Sequence, residues 1–322
     1  MLIVILINSF KISFSQESSI YEDYYLNPFI INPAITGAEN YPVVNSSVRN
    51  QWLDFPGAPS TYLISANYRP GSYDFYDPKG FVNKGSLKLS DRVGLGAALF
   101  RDNNGPLSYT GALLSYAYHV PVNRYSRLSF GMSVIGGLYS MNSSMLKPDQ
   151  MNDSYLFSGN GNIYRANVNL GVYYHNNTYF AGLSGNKILP DVTNVNTQMK
   201  EQPSIFIMGG YKFLKRKNNF NIEPSLTIKK IGNNNISVDL HGKLYIQRLN
   251  WIAVSYSTTG EINIQFGLRI YRMLYVGYNY EYTLGGIAAY NFGSQEICLG
   301  INLGLFGIES LRESIINMDN FK

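Results

Sequence analysis

The stretch EINIQFGLRIYR, Glu261–Arg272, alternates without a break. Ile262, Ile264, Phe266, Leu268 and Ile270 fall on one face, and Asn263, Gln265, Gly267 and Arg269 on the other. A period of two marks a β-strand, because successive side chains leave the backbone on opposite sides. At 219–230, Phe220, Ile222, Leu226 and Ile228 oppose Asn219, Asn221, Glu223, Ser225 and Thr227 in the same way. At 236–247, Ile236, Val238, Leu240, Leu244 and Ile246 oppose Ser237, Asp239, His241, Lys243 and Gln247. Near the end, Ile297, Leu299, Ile301 and Leu303 oppose Glu296, Cys298, Gly300 and Asn302.

From Val43 onward the pattern gives about fourteen strands, roughly 43–53, 60–69, 91–100, 108–120, 126–140, 163–175, 178–186, 203–214, 219–231, 235–248, 250–259, 261–271, 273–283 and 294–305. Most exceed the five or six residues of an ordinary globular strand and suit the roughly 9–11 tilted residues that cross a bilayer. A soluble sandwich also alternates, but it rarely needs so many long strands with ionisable residues on their second face. A propeller would show a repeat of roughly 40–50 residues, and none is present. The predicted fold is therefore all-β: a transmembrane antiparallel up-and-down β-barrel of about 14 strands, spanning 43–305, set in the outer membrane and contacting its lipid.

Composition agrees. Only 15 % of the 322 residues are charged, against roughly 25 % in a typical soluble chain. The 27 tyrosines and 30 glycines suit strands with aromatic girdles and close backbone approaches. The net charge of +5 is spread thinly, with no Lys/Arg cluster interleaved with aromatics, so nucleic acid is not an expected partner. A lone Cys298 excludes an intramolecular disulfide. His119, His175 and His241 have no metal-ligand spacing. Gly182-Leu183-Ser184-Gly185 only loosely resembles a nucleophile elbow. No catalytic, metal-binding or cofactor-binding residue is assigned, and no enzyme activity is expected. Asp102-Asn103-Asn104-Gly105-Pro106 reads as a hairpin turn, since Asn and Gly tolerate positive φ. Glu223, Asp239, Glu261, Lys243 and Arg269 face inward, where they either line a polar channel or pair across a packed lumen.

An even strand number puts both termini on the periplasmic side, where turns are short. The turns assigned there, at 121–124, 176–177, 215–218 and 247–250, are tight, and the assigned outer loops, 141–162, 187–202 and 284–293, are long. Residues 70–90 break that rule.

Residues 1–15, MLIVILINSFKISFS, read as a secretory signal peptide, with an apolar core and small residues before Gln16, though without a basic leader. The following 16–42 contains YYLNPFIINPAITGA, Tyr24–Ala38, in which Asn27-Pro28 and Asn32-Pro33 stand five residues apart. Proline fixes φ, lacks an N–H and pushes the preceding residue out of the helical region. The expectation is an extended segment with two corners, anchored by Phe29, Ile30 and Ile31, folding into or under the lumen as a plug. At the other end, Leu305, Ile308, Leu311, Ile315 and Met318 have helical spacing. They predict a short amphipathic C-terminal helix, a periplasmic tail over 306–322.

These residues resemble the PorP/SprF family of outer-membrane proteins of Bacteroidetes, associated with type IX secretion. The resemblance begins with Asn27-Pro28, Asn32-Pro33 and Gly37. It continues in Arg49-Asn50-Gln51-Trp52, Pro56-Gly57 and Thr61-Tyr62, then in Gly94-Leu95-Gly96 leading to Asn104-Gly105-Pro106. It ends in Tyr280, Glu281, Tyr282 and Gly293-Ser294-Gln295-Glu296. Gln295 stands where the family often has histidine, and the chain runs on past the last strand. The resemblance implies a non-enzymatic barrel whose partners are the type IX secretion machinery and a large secreted surface client, such as a gliding-motility adhesin. Two other readings make different demands. A passive porin or small-solute channel requires an open lumen, and a lipid hydrolase requires Ser or Asp within hydrogen-bond reach of one of the histidines.

Overall fold

The structure is a computed structural model that describes residues 26–39, 42–70, 92–123, 126–142, 162–189, 201–213, 220–246, 250–270, 273–285 and 291–303. The expected signal peptide, the 306–322 helix and most of the long connections at 70–90, 141–162, 187–202 and 284–293 lie outside these residues.

Fourteen strands follow one another. They are β1 Val43–Asn50, β2 Ser60–Tyr68, β3 Val93–Asn104, β4 Leu107–Pro121, β5 Arg127–Met141, β6 Ile163–His175 and β7 Tyr179–Asn186. The second half holds β8 Ser204–Tyr211, β9 Phe220–Ile231, β10 Ser237–Ile246, β11 Asn250–Ser257, β12 Glu261–Arg269, β13 Leu274–Thr283 and β14 Ser294–Asn302. Each pairs antiparallel with its neighbour in sequence, and β1 closes on β14 in a register running from Val43↔Asn302 to Asn50↔Gln295. Closure removes the open edge strands a sheet would otherwise turn to hydrocarbon.

The alternation is inverted relative to a soluble protein. In β12, Ile264, Phe266 and Leu268 are exposed while Asn263 and Gln265 are buried. The same holds for Leu240 beside Asp239, Ile64 beside Ser65, and Leu114 beside Ser115. Apolar side chains thus face the hydrocarbon and polar ones the bore, as a bilayer-spanning barrel demands.

Strand ends differ from the pattern. β3 runs to Asn104, so Asp102 and Asn103 sit in the ladder opposite Tyr109 and Ser108, and the turn is reduced to Gly105-Pro106, with Gly105 at φ +57°. β1 stops at Asn50, because Trp52 and Asp54 take φ of +45° and +68°. That left-handed backbone cannot stay in a ladder. Beyond β8 an isolated bridge joins Phe213 to Ile222.

Over its described residues, 26–39, the N-terminal segment is not extended. It forms two 3-10 turns, Pro28–Ile30 and Pro33–Ile35. The prolines that bar a regular strand are suited to the first position of a helical turn, where the missing N–H costs nothing. Only the asparagines before them are pushed off helical geometry, each with φ of −132°. The apolar core follows from this. Phe29, Ile30, Ile31 and Ile35 cluster inside the bore with Leu63, Phe100, Leu113, Ile135 and Phe206.

Candidate functional site

The site is the track along which residues 26–38 lie against the inner wall, toward the end where β1 begins and β14 finishes. The second turn, Pro33–Ile35, rests against β4, β5 and β6 and carries the first turn at its side. Asn32 caps the second turn, its Oδ1 accepting from Ala34 N at 3.0 Å, while its Nδ2 donates to Val172 O of β6 at 3.2 Å. Asn27 Oδ1 accepts from Asn45 Nδ2 at 2.9 Å and Ser65 Oγ at 2.6 Å, which ties the segment to β1 and β2.

The wall also reaches the segment's backbone. Ile31 O accepts from Ser184 Oγ at 2.6 Å and Asn186 Nδ2 at 2.9 Å. Leu26 O accepts from Asn45 Nδ2 at 3.2 Å, and Gly37 N donates to Asn67 Oδ1 at 2.6 Å. Thr36 Oγ1 lies 2.6 Å from Ser115 Oγ. Thr36 O meets His119 Nε2 at 2.8 Å, and His119 Nδ1 meets Ser129 Oγ at 2.7 Å. A carbonyl only accepts, so Nε2 carries the hydrogen, and in the neutral ring Nδ1 accepts from the serine. A serine does stand within reach of a histidine, as a hydrolase would need. Yet both are almost fully buried beneath Thr36, and the histidine's second nitrogen is engaged by the segment.

Glycines make the room. A Cβ on Gly94 would overlap Thr36 O, on Gly131 the backbone joining Pro33 to Ala34, and on Gly171 the Asn32 side chain. Gly96 and Gly182 likewise face Thr36 and Asn32. Gly37, at φ +69°, crosses directly over Gly94, where neither chain has space for a side chain. These inward glycines on β3, β5, β6 and β7 lie where the segment presses on the wall.

Inward charges pair with neighbours along the wall. Arg49 Nη2 meets Glu281 Oε2 at 3.0 Å, Lys229 Nζ meets Asp239 Oδ2 at 2.9 Å, and Lys212 Nζ meets Glu223 Oε2 at 3.6 Å. Ser257 Oγ adds a bond to Asp239 at 2.6 Å, and Thr259 Oγ1 one to Glu261 at 3.2 Å. Lys243 lies over the Trp251 ring at 4.2 Å, the geometry of a cation–π contact.

The signature residues divide into two places. Asn27, Pro28, Asn32, Pro33 and Gly37 lie in the bore, with Gly94 and Gly96 facing that segment from β3. Asn50 to Gly57, Asn104 to Pro106, Tyr280, Tyr282 and Gly293 to Glu296 gather at the opposite end of the barrel, around and beside the β1–β14 seam. There Asn50 pairs with Gln295 and Arg49 with Glu296. Trp52 N donates to Ser294 Oγ at 3.4 Å, Leu53 N to Gly293 O at 2.9 Å, and Ser294 Oγ to Glu281 Oε1 at 3.2 Å. Gln51 N bonds Pro59 O across the turn that carries Pro56 and Gly57, and Gly57 approaches Gly105 of the Asn104-Gly105-Pro106 hairpin. Tyr280 donates to Phe292 O at 3.2 Å, whereas Tyr282 is exposed on the outer face. No motif marks the wall residues Asn45, Ser65, Ser115, His119, Ser184 and Asn186 as holding the segment; in the sequence His119 and Ser184 stand out only as a metal-ligand or nucleophile possibility. Small polar residues at inward positions beside inward glycines are the signal that points to them.

Residues 13–301 match the profile of the family described as type IX secretion system membrane protein PorP/SprF. None of the proteins with curated functions matches the chain. Among solved structures, the toluene transporter TbuX of Ralstonia pickettii is similar at TM-score 0.51 and 8 % identity, over 85 % of this chain and 92 % of that one. The outer membrane protein Omp33 of Acinetobacter baumannii reaches 0.44 at 8 % identity, over 83 % and 98 %. The first likeness is one of fold, an outer-membrane barrel.

Proposed function

Since the chain belongs to the PorP/SprF family of type IX secretion system membrane proteins, we propose that this outer-membrane barrel assists the secretion or surface attachment of a large client protein, such as an adhesin. It acts by binding and not by catalysis. Family membership carries the reading, and the occupied bore supports it, because residues 26–38 fill space that a conducting channel would leave to water.

In this reading residues 1–15 are a removed signal, 16–42 a plug, 43–305 the barrel and 306–322 a periplasmic tail. The 141–162 and 284–293 loops, with the signature residues of the seam, meet the client. The 70–90 connection and the tail meet the secretion machinery. Deleting the gene is expected to remove one large protein from the cell surface, with loss of gliding where that protein is a motility adhesin. An unchanged surface proteome with unchanged motility would overturn the proposal. The competing reading, a passive porin, requires steady ion conductance from the intact protein in planar bilayers, whereas a plugged barrel conducts weakly.

A further inference from the structure

The bonds that hold residues 26–37 are of two kinds. Asn45, Asn67, His119, Ser184 and Asn186 address the segment's main chain. Asn45 and Ser65 address the Asn27 side chain, and Val172 O addresses Asn32. Main-chain contacts favour any peptide of the right shape, with side-chain pockets giving the selectivity. Buried side-chain bonds discriminate strongly, because a wrong residue leaves the site's polar groups unpaired. Shape comes from the prolines, which open both 3-10 turns, and the inward glycines accept that shape and little else. The segment joins no ladder: the sheet closes through its own strands. The wall therefore holds it as a ligand is held, by side chains projecting from a finished surface.

We infer that the inner wall of β1–β7 is a sequence-selective peptide-binding groove, that its ligand class is a peptide with two Asn-Pro turns five residues apart, and that residues 26–38 are its resident and separable occupant. Asn32 is the selective position. Its Nδ2 donates to a carbonyl, so an aspartate there would set oxygen against oxygen with nearly unchanged shape. This inference is independent of which client the barrel serves.

The test uses the full chain with a protease site replacing residues 40–41, cut only after folding in detergent. A dye-labelled synthetic peptide of residues 24–39 is then added in excess. The severed segment is expected to exchange for the labelled peptide up to one per barrel. An Asn32→Asp peptide should bind at least tenfold more weakly, and a scrambled peptide should not bind. Equal binding of all three peptides overturns the inference, as does a lack of exchange up to temperatures just below barrel unfolding. A second measurement needs no cut. In a Cys298→Ser chain, the thiol of Ile30→Cys should resist a maleimide. Adding Asn32→Asp should then raise its labelling at least tenfold while the unheated protein still migrates as a folded barrel. Unchanged labelling overturns the inference as well.

Discussion

A Cβ at Gly131 would overlap the backbone joining Pro33 to Ala34, and β5 cannot retreat because β4 and β6 hold it in register along almost its whole length. Gly131→Val is expected to cost about 1–3 kcal/mol if the segment stays, the usual range for overpacking, or else to expel it and raise bilayer conductance. Gly242→Val is the control, since nothing lies within 4 Å of the added Cβ. Arg49 and Glu281 form a buried pair at 3.0 Å. Removing one partner of such a pair costs about 3–5 kcal/mol, whereas an apolar replacement of both is often neutral. Urea unfolding should therefore find Arg49→Ala strongly destabilised, and Arg49→Met with Glu281→Leu close to the parent. At this scale the sequence marks Asn27 and Asn32 as a pair through their prolines, but not what they touch. Val172 stands 140 residues from Asn32, and no local pattern reaches that far.

The strands were legible because each alternates in its own residues, and the count of fourteen needed nothing else. Their ends were less so. Nothing in Trp52 or Asp54 announces positive φ, and an Asn-Gly pair signals a turn without saying how far the ladder climbs into it. In residues 26–39 the prolines suggest extension where the chain turns, because proline excludes regular strand and helix interior alike. Its fitness to start a helical turn shows only once the wall supplies partners for the two caps. Two expectations belong to elements. Leu240 faces outward near the middle of β10, so Leu240→Arg should cost about 2–4 kcal/mol in lipid-reconstituted unfolding, as charge on a barrel's lipid face does. In the segment, Phe29→Ser with Ile30→Ser removes two fully buried anchors and should raise conductance while the strands still close. Conductance equal to the parent's would leave the segment a simple tether.

For the molecule as a whole, about fourteen long alternating strands crossing a bilayer predict a closed barrel, and the β1–β14 register closes it. What fills the bore was legible only as three apolar residues between two prolines, because the filling depends on glycines from four separate strands meeting on one surface. Only two residues, Asn40 and Tyr41, separate Glu39 from Pro42 at the foot of the first strand. A guest on so short a leash returns at an effective concentration on the order of millimolar. Any rival peptide must outcompete that local excess and not merely match the guest's intrinsic affinity. Partial loosening of the contacts should accordingly appear as flicker between occupied and vacant, with the occupied fraction indifferent to dilution. Severing the leash turns a first-order return into a second-order one, and occupancy then falls as the protein is diluted.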